Sequence, residues 1–525
     1  MLKDDPEIQQ LLLDSYASTK LTAQVFFPEL FYSPFSILHD QIFAWLDRKE
    51  YTITNPKSPN YGKTFPSNKK VCAAPRGIGK TTIVGTKIAK DIIWRDSPFV
   101  TYVTNSGDNA AIQTENIKSN LRTARVKELY GDIKIADFEG ADETFGKKSW
   151  VAYGSTIVVP RGAGQQIRGL NWRGNRPQLL VIDDLEDKDE IQNEANRKKL
   201  KEWFFSDLEK CINRFLKNYT FIYIDTLKHE DSLLALLLES DDWDAINLSI
   251  CDENYKSLDP NYMTDEEIAR EVESHREKGV LDEFYREYMN IPISTEDAVF
   301  KGKFFRYYEE VAKDDPRCNQ LIGNVLFIPP FVTNPNIETV IIVDPAKTVK
   351  LHSAESAIIG ISFDRSMNRI IIRDLDAKKF YPDELYEHTF EMAKRLKAKL
   401  LAIEVTSLHE FIVQPVKNEI AKRNLNIEFM ELNARGKKED RIAMMCSSYR
   451  KGEVYHNKAI SGPLEAQLLS FPRSKRWDCM DAEAYFIEVL EKGEKYFYTD
   501  TDEEPYDDES MPEDLEPAFA NWRVC

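Results

Sequence analysis

Disulfide pairs, long apolar runs and metal-binding histidine pairs are all missing from this chain of 525 residues. Its seven cysteines are scattered and form no CxxC pair, which indicates reduced thiols and not disulfides or zinc ligands. The seven histidines show no HxH or HExxH spacing. No run of 18 apolar residues occurs, and residues 1–22 lack a signal-peptide pattern. We therefore expect a soluble intracellular protein that does not associate with a membrane.

Basic residues are too few to balance the acids, and the net charge is −18. About half of this negative charge lies in one segment near the end of the chain, because Asp500 to Glu516 holds ten acids and no base. A nucleic-acid partner is therefore not excluded for the rest of the chain. We expect residues 496–525 to form a disordered acidic tail, in which Phe519 and Trp522 are candidates for docking to a partner. A hydrophobic content of 42% allows two or three domain cores.

The segment AAPRGIGKTT, from Ala73 to Thr82, has the order of a phosphate-binding loop, although Ala74 stands where the first glycine is usual. An apolar strand precedes it, and the spacing of the segment from Thr82 to Trp94 predicts a helix. The purely structural alternative is a glycine-rich turn before an ordinary helix. The sequence favours an ATP site with Mg²⁺, formed by Ala74, Pro75, Arg76, Gly77, Ile78, Gly79, Lys80, Thr81 and Thr82.

A second apolar strand, predicted over Gln178 to Ile182, delivers Asp183 and Asp184 at its carboxyl end. Ligand groups of α/β sheets lie at such ends. We expect the first carboxylate to hold Mg²⁺ and the second to polarise the attacking water, with Glu186 as a competitor for the second role. A buried strand that merely ends in a solvated acidic turn is the alternative.

The second half of the chain carries another set of strand-end carboxylates. The pattern predicts strands from Glu338 to Asp344, Ser356 to Phe363 and Asn368 to Asp374, then a helix from Pro382 to Leu396 and a strand from Lys399 to Glu404. The first three strands form a predicted meander. The first and last strands of the set end in Asp344 and Glu404.

A helix predicted over Trp477 to Leu490 places Asp478 and Asp481 on one face. Strand-end Asp, strand-end Glu and helix Asp follow the order of a ribonuclease-H-like nuclease core. Converging carboxylates suit a pair of Mg²⁺ or Mn²⁺ ions that cut a phosphodiester. Taken singly, each acid is explained equally well as a helix cap or a surface charge.

In the order of these segments, the chain resembles the large terminase subunit of tailed bacteriophages from about Phe35 to Leu490. Further segments that carry the resemblance include FSILHDQIFAWL, DEFYREYMNIPIS, KKEDRIAMMCSSYRKGEVYH and DCMDA. The resemblance implies an α/β protein with an ASCE-like P-loop NTPase motor domain, followed by a ribonuclease-H-like (RuvC-like) nuclease domain. It implies ATP-driven packaging of double-stranded DNA and metal-dependent DNA cleavage.

The resemblance also assigns roles in the motor. It implies that Lys80, Thr81 and Asp183 bind phosphate and Mg²⁺, and that Asp184 is the catalytic carboxylate where such motors often carry Glu. Arg76 matches a cis-acting arginine, and Arg161 and Arg168 are alternatives.

Further matches are less regular. Thr226 matches a coupling residue, although the family usually has Gly where this chain has Asp225. Gln41 matches an adenine-reading glutamine, and an ordinary polar helix face explains it nearly as well. In the nuclease, Asp344, Glu404 and Asp481 match the metal ligands, with Asp478 and Glu355 as accessory candidates.

The predicted organisation is a motor over residues 1–292, with a lid part at 211–292, a linker at 293–337 and a nuclease at 338–495. The resemblance implies a portal protein, a small terminase subunit and a homo-oligomeric ring on the procapsid as partners. It implies a location in the host cytoplasm and absence from the mature virion. The following basic residues are candidates for contacting DNA, or else ordinary solvated faces: Arg197, Lys198, Lys199, Lys201, Arg473, Lys475 and Arg476.

Two other functions stay open from the sequence. One is a P-loop helicase or remodelling ATPase with an inactive ribonuclease-H-like appendage. The other is a non-enzymatic scaffold whose acidic tail binds a basic partner.

Overall fold

A computed structural model describes most of the chain. The described residues are 6–31, 33–56, 58–134, 145–187, 191, 193–212, 218–291, 299–331, 337–346, 355–405, 409–433, 437–472, 474 and 476–492. The helices are α1 (Pro6–Ala17), α2 (Thr19–Phe26), α3 (Ile37–Asp47), α4 (Lys80–Trp94), α5 (Gly107–Leu121), α6 (Ala124–Tyr130), α7 (Glu194–Trp203), α8 (Leu233–Leu238), α9 (Asp265–Glu277), α10 (Leu281–Met289), α11 (Pro382–Leu396), α12 (His409–Lys422), α13 (Lys438–Lys451), α14 (Gly462–Leu469) and α15 (Asp478–Lys492).

Most strands belong to one of two large sheets. The strands are β1 (Glu50–Thr52), β2 (Thr64–Pro66), β3 (Lys69–Ala73), β4 (Phe99–Thr104), β5 (Trp150–Ala152), β6 (Thr156–Gly162), β7 (Leu179–Asp183), β8 (Thr220–Asp225), β9 (Asp244–Asn247), β10 (Arg306–Glu310), β11 (Leu321–Ile322), β12 (Val325–Ile328), β13 (Ile337–Asp344), β14 (Ser356–Asp364), β15 (Arg369–Lys378), β16 (Leu400–Glu404), β17 (Glu428–Leu432) and β18 (Val454–His456).

The first sheet has seven strands in the order β5-β6-β4-β7-β8-β3-β9, and only β5 runs antiparallel to its neighbour. Its central strands β4 and β7 are buried along their whole length. Continuous apolar runs of this kind are typical of parallel strands covered on both faces. Strand β8 lies between β3, which leads into the P-loop, and β7, which carries the acidic pair. This is the ASCE-like arrangement predicted from the sequence.

The second sheet has nine strands in the order β11-β12-β10-β18-β15-β14-β13-β16-β17. Strands β13, β14 and β15 form the predicted antiparallel meander, while β16 and β17 continue parallel to β13. Helix α15 packs on β13 and β14. A meander whose first strand is extended by parallel strands is the ribonuclease-H-like arrangement expected from the sequence.

The predicted linker needs correction. Within residues 293–337, the strands β10, β11 and β12 join the second sheet, where β10 pairs with β18 and with β12. Tyr307 and Leu326 are buried in the core. Each of these strands has five residues or fewer, which is too short for a period of two to stand out among the Pro and Gly turns.

In the described ranges, no helix is both long and apolar enough to span a membrane.

Candidate functional site

The P-loop connects the end of β3 to the start of α4. Gly77 and Gly79 have φ of 83° and 76°, a left-handed backbone that favours glycine. Ala74 is fully buried and has no such φ, and its N–H donates to the Asp225 carbonyl at 3.0 Å. The position of the usual first glycine therefore tolerates a methyl group, and the alanine at this position does not disrupt the loop.

Lys80 lies inside this loop. Its Nζ donates to the carbonyl oxygens of Ala74 and Pro75 at 3.0 and 2.9 Å, and to Oγ1 of Thr226 at 2.7 Å. Burial lowers the pKa of Lys80, while Asp225 and Asp183 act in the opposite direction. The structure thus brings the predicted phosphate lysine and the predicted coupling threonine into direct contact.

Asp183 ends β7 as predicted and is 3% exposed. Its Oδ2 accepts a hydrogen bond from the Tyr102 hydroxyl at 2.7 Å, whereas its Oδ1 is buried with no hydrogen-bond partner in the described part of the chain. Burial raises the pKa of this carboxyl, and the neighbouring Thr81 hydroxyl opposes the shift. A buried oxygen without a donor fits a cation, and a hard oxygen ligand beside the Thr81 hydroxyl suits Mg²⁺. The residues present therefore fit the predicted Mg²⁺.

The two candidates for the water-polarising carboxylate lie in different environments. The Asp184 side chain is 67% exposed, on a backbone with φ of 49°. Glu186 is buried, and its carboxylate accepts the N–H groups of Leu233 and Leu234 at the start of α8, at 2.7 and 3.3 Å. Burial raises the pKa of Glu186 to about 7. Its carboxylate is used to cap a helix, so the geometry favours Asp184.

The three arginine candidates, Arg76, Arg161 and Arg168, lie at different places. The Arg76 side chain is 74% exposed and lies 3.5 Å from the Glu287 carboxylate, beside a cavity of about 740 Å³ that Tyr262 and Tyr288 also line. Arg161 and Arg168 border a separate depression of about 360 Å³. The structure does not bring these three arginines together.

Gln41 is exposed on α3. The residue of the HDQ segment that contacts the P-loop is instead His39, whose Nε2 lies 3.1 Å from the Ile78 carbonyl oxygen. Sequence reasoning treated the histidines as uninformative and missed this contact. The only available signal was the position of His39 in the segment that precedes the motor core.

In the second sheet, Asp344 and Glu404 end the neighbouring parallel strands β13 and β16, and Asp478 and Asp481 lie in the first turn of α15. The ammonium of Lys438 stands among three of these carboxylates, at 3.0 Å from Asp481 and 3.9 Å from both Asp344 and Asp478. The structure therefore brings three of the four predicted acids around a cation, while Glu404 lies at the end of the neighbouring strand.

Other groups complete this cluster. Nε of Arg441 donates to Asp481 at 2.9 Å, and the backbone N–H of Glu355 donates to Asp478 at 3.1 Å. Burial raises the pKa of Asp344 to about 8, with Lys438 opposing the shift and the neighbouring carboxylates adding to it. Lys438 and Arg441 belong to the segment KKEDRIAMMCSSYRKGEVYH, which carries part of the resemblance, but the sequence predicted no role for either residue.

The carboxylates fit divalent metals by donor chemistry, and the Lys438 ammonium is a stand-in for a cation at their centre. With Lys438 and Arg441 in place, no group of three or more acidic, His or Cys side chains in the described ranges is arranged as a metal site. A divalent ion would therefore have to replace the ammonium.

Three of the seven basic candidates for DNA contact are paired with acids in the structure. Arg197 and Lys201 both contact Asp231, at 3.1 and 2.5 Å. Arg476 contacts Glu253 and Glu355. Lys198 and Lys199 are exposed. Arg473, Lys475 and the acidic tail with Phe519 and Trp522 lie outside the described residues.

No protein-family model and no curated protein matches the chain. Among solved structures, the large terminase of a thermophilic bacteriophage is 12% identical, with a TM-score of 0.29, over 87% of this chain and 99% of that one. The P22 large terminase nuclease domain is 14% identical, with a TM-score of 0.25, over 31% and 86%. The human cytomegalovirus terminase nuclease domain is 13% identical, with a TM-score of 0.24, over 30% and 85%. The fold itself follows from the strand orders described above.

Proposed function

We propose that this chain is the subunit of a viral DNA-packaging motor. It would hydrolyse ATP to move double-stranded DNA into a procapsid and would cut concatemeric DNA with a two-metal endonuclease. The observation that carries the proposal is the pairing of two sites in one chain. The first sheet holds a P-loop whose Lys80 contacts Thr226, and the second gathers Asp344, Asp478 and Asp481 around one cation.

In the motor, each residue supplies part of phosphoryl transfer. The P-loop amides and Lys80 receive the phosphate charge, and Thr81 and Asp183 would hold Mg²⁺. Asp184, exposed at the strand end, would orient the attacking water. Bound Mg²⁺ would neutralise the charge that develops on the phosphate oxygens. Thr226 contacts Lys80 and would report phosphate binding to β8.

In the nuclease, Asp344, Glu404 and Asp481 would hold the metal ions, with Asp478 as an accessory ligand. Bound metals of this type activate a water and stabilise the leaving oxygen. Arg441 orients Asp481 from α13, and the Glu355 amide orients Asp478. Nothing in the described part of the site resembles a helix that reads bases in the major groove, so we expect cleavage with little sequence preference.

The proposed partners are double-stranded DNA, a portal protein, a small terminase subunit and further copies of this chain in a ring on the procapsid. The proposed location is the host cytoplasm during infection, with no place in the mature virion. These partners and this location rest on the sequence resemblance alone.

The test combines an ATPase assay with and without double-stranded DNA and a plasmid-cleavage assay in Mn²⁺ or Mg²⁺. We expect DNA-stimulated ATP hydrolysis, and cleavage that EDTA abolishes. Asp344→Ala and Asp481→Ala should each eliminate cleavage and leave ATP turnover unchanged, while Asp478→Ala should have a milder effect. The exposed Asp440 of α13 provides a matched control, since Asp440→Ala should cut like wild type. DNA cleavage by Asp344→Ala at the wild-type level would show that these carboxylates do not form a nuclease site.

The second candidate is a P-loop translocase with an inactive ribonuclease-H-like domain. The observation that favours it is the position of Lys438, whose ammonium lies where a metal would have to bind. ATP hydrolysis without any metal-dependent cleavage would support this function. Absence of ATP hydrolysis would instead support a non-enzymatic scaffold.

A further inference from the structure

Lys228 lies between the two strand ends that build the motor site. Its Nζ donates to Oδ1 of Asp184 at 2.6 Å, to Oδ1 of Asp225 at 2.8 Å and to the Glu186 carbonyl oxygen at 2.6 Å. An ammonium has three donors, so each of them is used. The side chain is only 16% exposed. The ammonium group of Lys228 is therefore held in place by three acceptors.

Two of these three contacts are to groups that cannot move easily. The Asp225 carboxylate is fully buried, and the Glu186 carbonyl belongs to a buried residue. The third contact is to Asp184, which is mostly exposed. An ordinary surface ion pair orders its partners little, because both side chains are mobile. Here the lysine is anchored, so it is Asp184 whose carboxylate is positioned.

Asp225 explains why a lysine is needed. Its carboxylate accepts the N–H of Thr226 at 2.7 Å and that of Glu186 at 3.3 Å. A buried carboxylate is costly unless it is paired with a charge and hydrogen-bonded. Lys228, three residues further on, supplies that charge. The buried acid at Asp225 is thus balanced by the cation at Lys228.

These contacts form a continuous path. Lys80 contacts Thr226, Thr226 contacts Asp225, Asp225 contacts Lys228 and Lys228 contacts Asp184. The three donors of Lys80 go to Ala74, Pro75 and Thr226, so a phosphate that binds Lys80 competes with acceptors that include the Thr226 hydroxyl. The segment that carries Thr226 also carries Lys228. Phosphate binding and the position of Asp184 therefore act on the same short segment.

We propose that Lys228 is a positioning residue for ATP hydrolysis, which orients the Asp184 carboxylate and couples it to the segment of Thr226. This inference rests on the proposed ATPase function. The hydrogen bonds of Lys228 go to Asp184, Asp225 and the Glu186 carbonyl, and not to the P-loop carbonyls that hold Lys80, so the proposal places it outside the nucleotide contacts. Its loss should therefore affect turnover and leave nucleotide affinity unchanged.

The test measures kcat for ATP, and the affinity for a non-hydrolysable ATP analogue with Mg²⁺, in the full chain. In Lys228→Gln we expect kcat to fall about 10- to 100-fold, since misorientation of a reacting group has costs of this size, while analogue affinity stays within about twofold. Lys228→Arg keeps the charge and should recover most of the lost turnover. The control is Lys69→Gln, because Lys69 pairs with Glu209 at 2.7 Å and is 22% exposed, at the opposite end of β3. This control should turn over like wild type.

Unchanged kcat in Lys228→Gln would overturn the inference, and so would an equal loss of kcat and analogue affinity. Loss of the charge also leaves Asp225 unpaired, so folding is checked with Asp225→Asn/Lys228→Gln, which removes both charges. We expect this double variant to keep the low kcat, and recovery of turnover in it would count against the inference. A wild-type chain without ATPase activity would instead overturn the proposed function itself.

Discussion

At the scale of single residues, the two acids that end β7 show how neighbouring carboxylates acquire different roles. Asp183 is buried against Tyr102 with one oxygen free of hydrogen bonds within the described residues, whereas Asp184 turns outward on a left-handed backbone. Such a backbone is unfavourable for most residues with a side chain, and Asp is among those that tolerate it best. Burial suits a metal ligand, and exposure suits a group that must meet water.

Lys80→Ala should abolish ATP hydrolysis. Removing one group that stabilises transition-state charge commonly costs on the order of 10²–10³ in rate. Metal-dependent nicking should continue, since the nuclease acids belong to the other sheet. Both activities are measured on the same preparation, so that nicking serves as the control for folding. Turnover near wild type would exclude the P-loop as the ATP site.

Asp184→Asn should bind ATP without turning it over, because the amide cannot polarise water as the carboxylate does. Asp183→Asn should instead weaken binding of the Mg²⁺ nucleotide itself. The measurements are kcat and the affinity for an ATP analogue.

Glu186→Gln is the matched control for Asp184→Asn. Its side chain caps α8, so this variant should lose stability and retain turnover. An inactive Glu186 variant beside an active Asp184 variant would reverse the assignment of these two acids.

At the scale of elements, the second sheet, which holds the proposed nuclease site, depends on close packing between β14 and α11. A Cβ added at Gly360 would lie 2.4 Å from Cδ1 of Leu396 and 3.4 Å from Sδ of Met392. A contact as short as the first forces neighbouring atoms to move. The absence of a side chain at Gly360 thus lets this helix approach the centre of the sheet.

Gly360→Val should therefore destabilise the protein by about 1–3 kcal/mol, as overpacking of a filled core does. The free energy of unfolding is measured in urea. Gly146→Ala is the control, because a Cβ there meets nothing within 4 Å. Equal stability of the Gly360 variant and wild type would show that the helix does not pack as described.

At the scale of the whole molecule, a buried ion pair joins the proposed motor part of the chain to the proposed nuclease part. Nη2 of Arg276, on α9, donates to Oε2 of Glu465, on α14, at 3.1 Å, and their side chains are 5% and 0% exposed. Ser461 and Tyr255 also donate to the Glu465 carboxylate, at 2.8 and 3.2 Å. The motor part therefore supplies the cation that balances a fully buried acid of the nuclease part.

Arg276→Met should lower the free energy of unfolding by about 3–5 kcal/mol, since it leaves a buried charge unpaired. Burial on its own would raise the pKa of Glu465, but Arg276, followed by His456 and Ser461, holds that pKa well below its usual range. The pair therefore stabilises the fold above the unfolded-state pKa of about 4.3, and this contribution is lost as the pH falls below it.

Unfolding is followed at pH 7 and at pH 4 in wild type, Arg276→Met and Arg276→Met/Glu465→Leu. The difference in the free energy of unfolding between wild type and Arg276→Met should be smaller at pH 4 than at pH 7. The double variant should recover stability at pH 7, because it removes both charges. A single variant as stable as wild type at pH 7 would contradict the role of the pair.

The sequence by itself determined the P-loop, the strand-end acids and the three-strand meander of the second sheet. The P-loop occupies ten consecutive residues between an apolar strand and an apolar-periodic helix, so its signal is entirely local. The same holds for Asp344, Glu404 and Asp481, each of which ends or begins an element with a clear hydrophobic pattern. Helix α11 begins and ends at the predicted residues.

Only the tertiary structure decided which side chains meet. It showed that Glu186 caps α8, that His39 and not Gln41 contacts the loop, and that Lys228 and Lys438 stand at the two acidic sites. It also placed β10 to β12 in the nuclease sheet and not in a linker. The physical reason is that local patterns fix which residues form an element. Burial, ion pairing and strand neighbours depend on segments that are far apart in the chain.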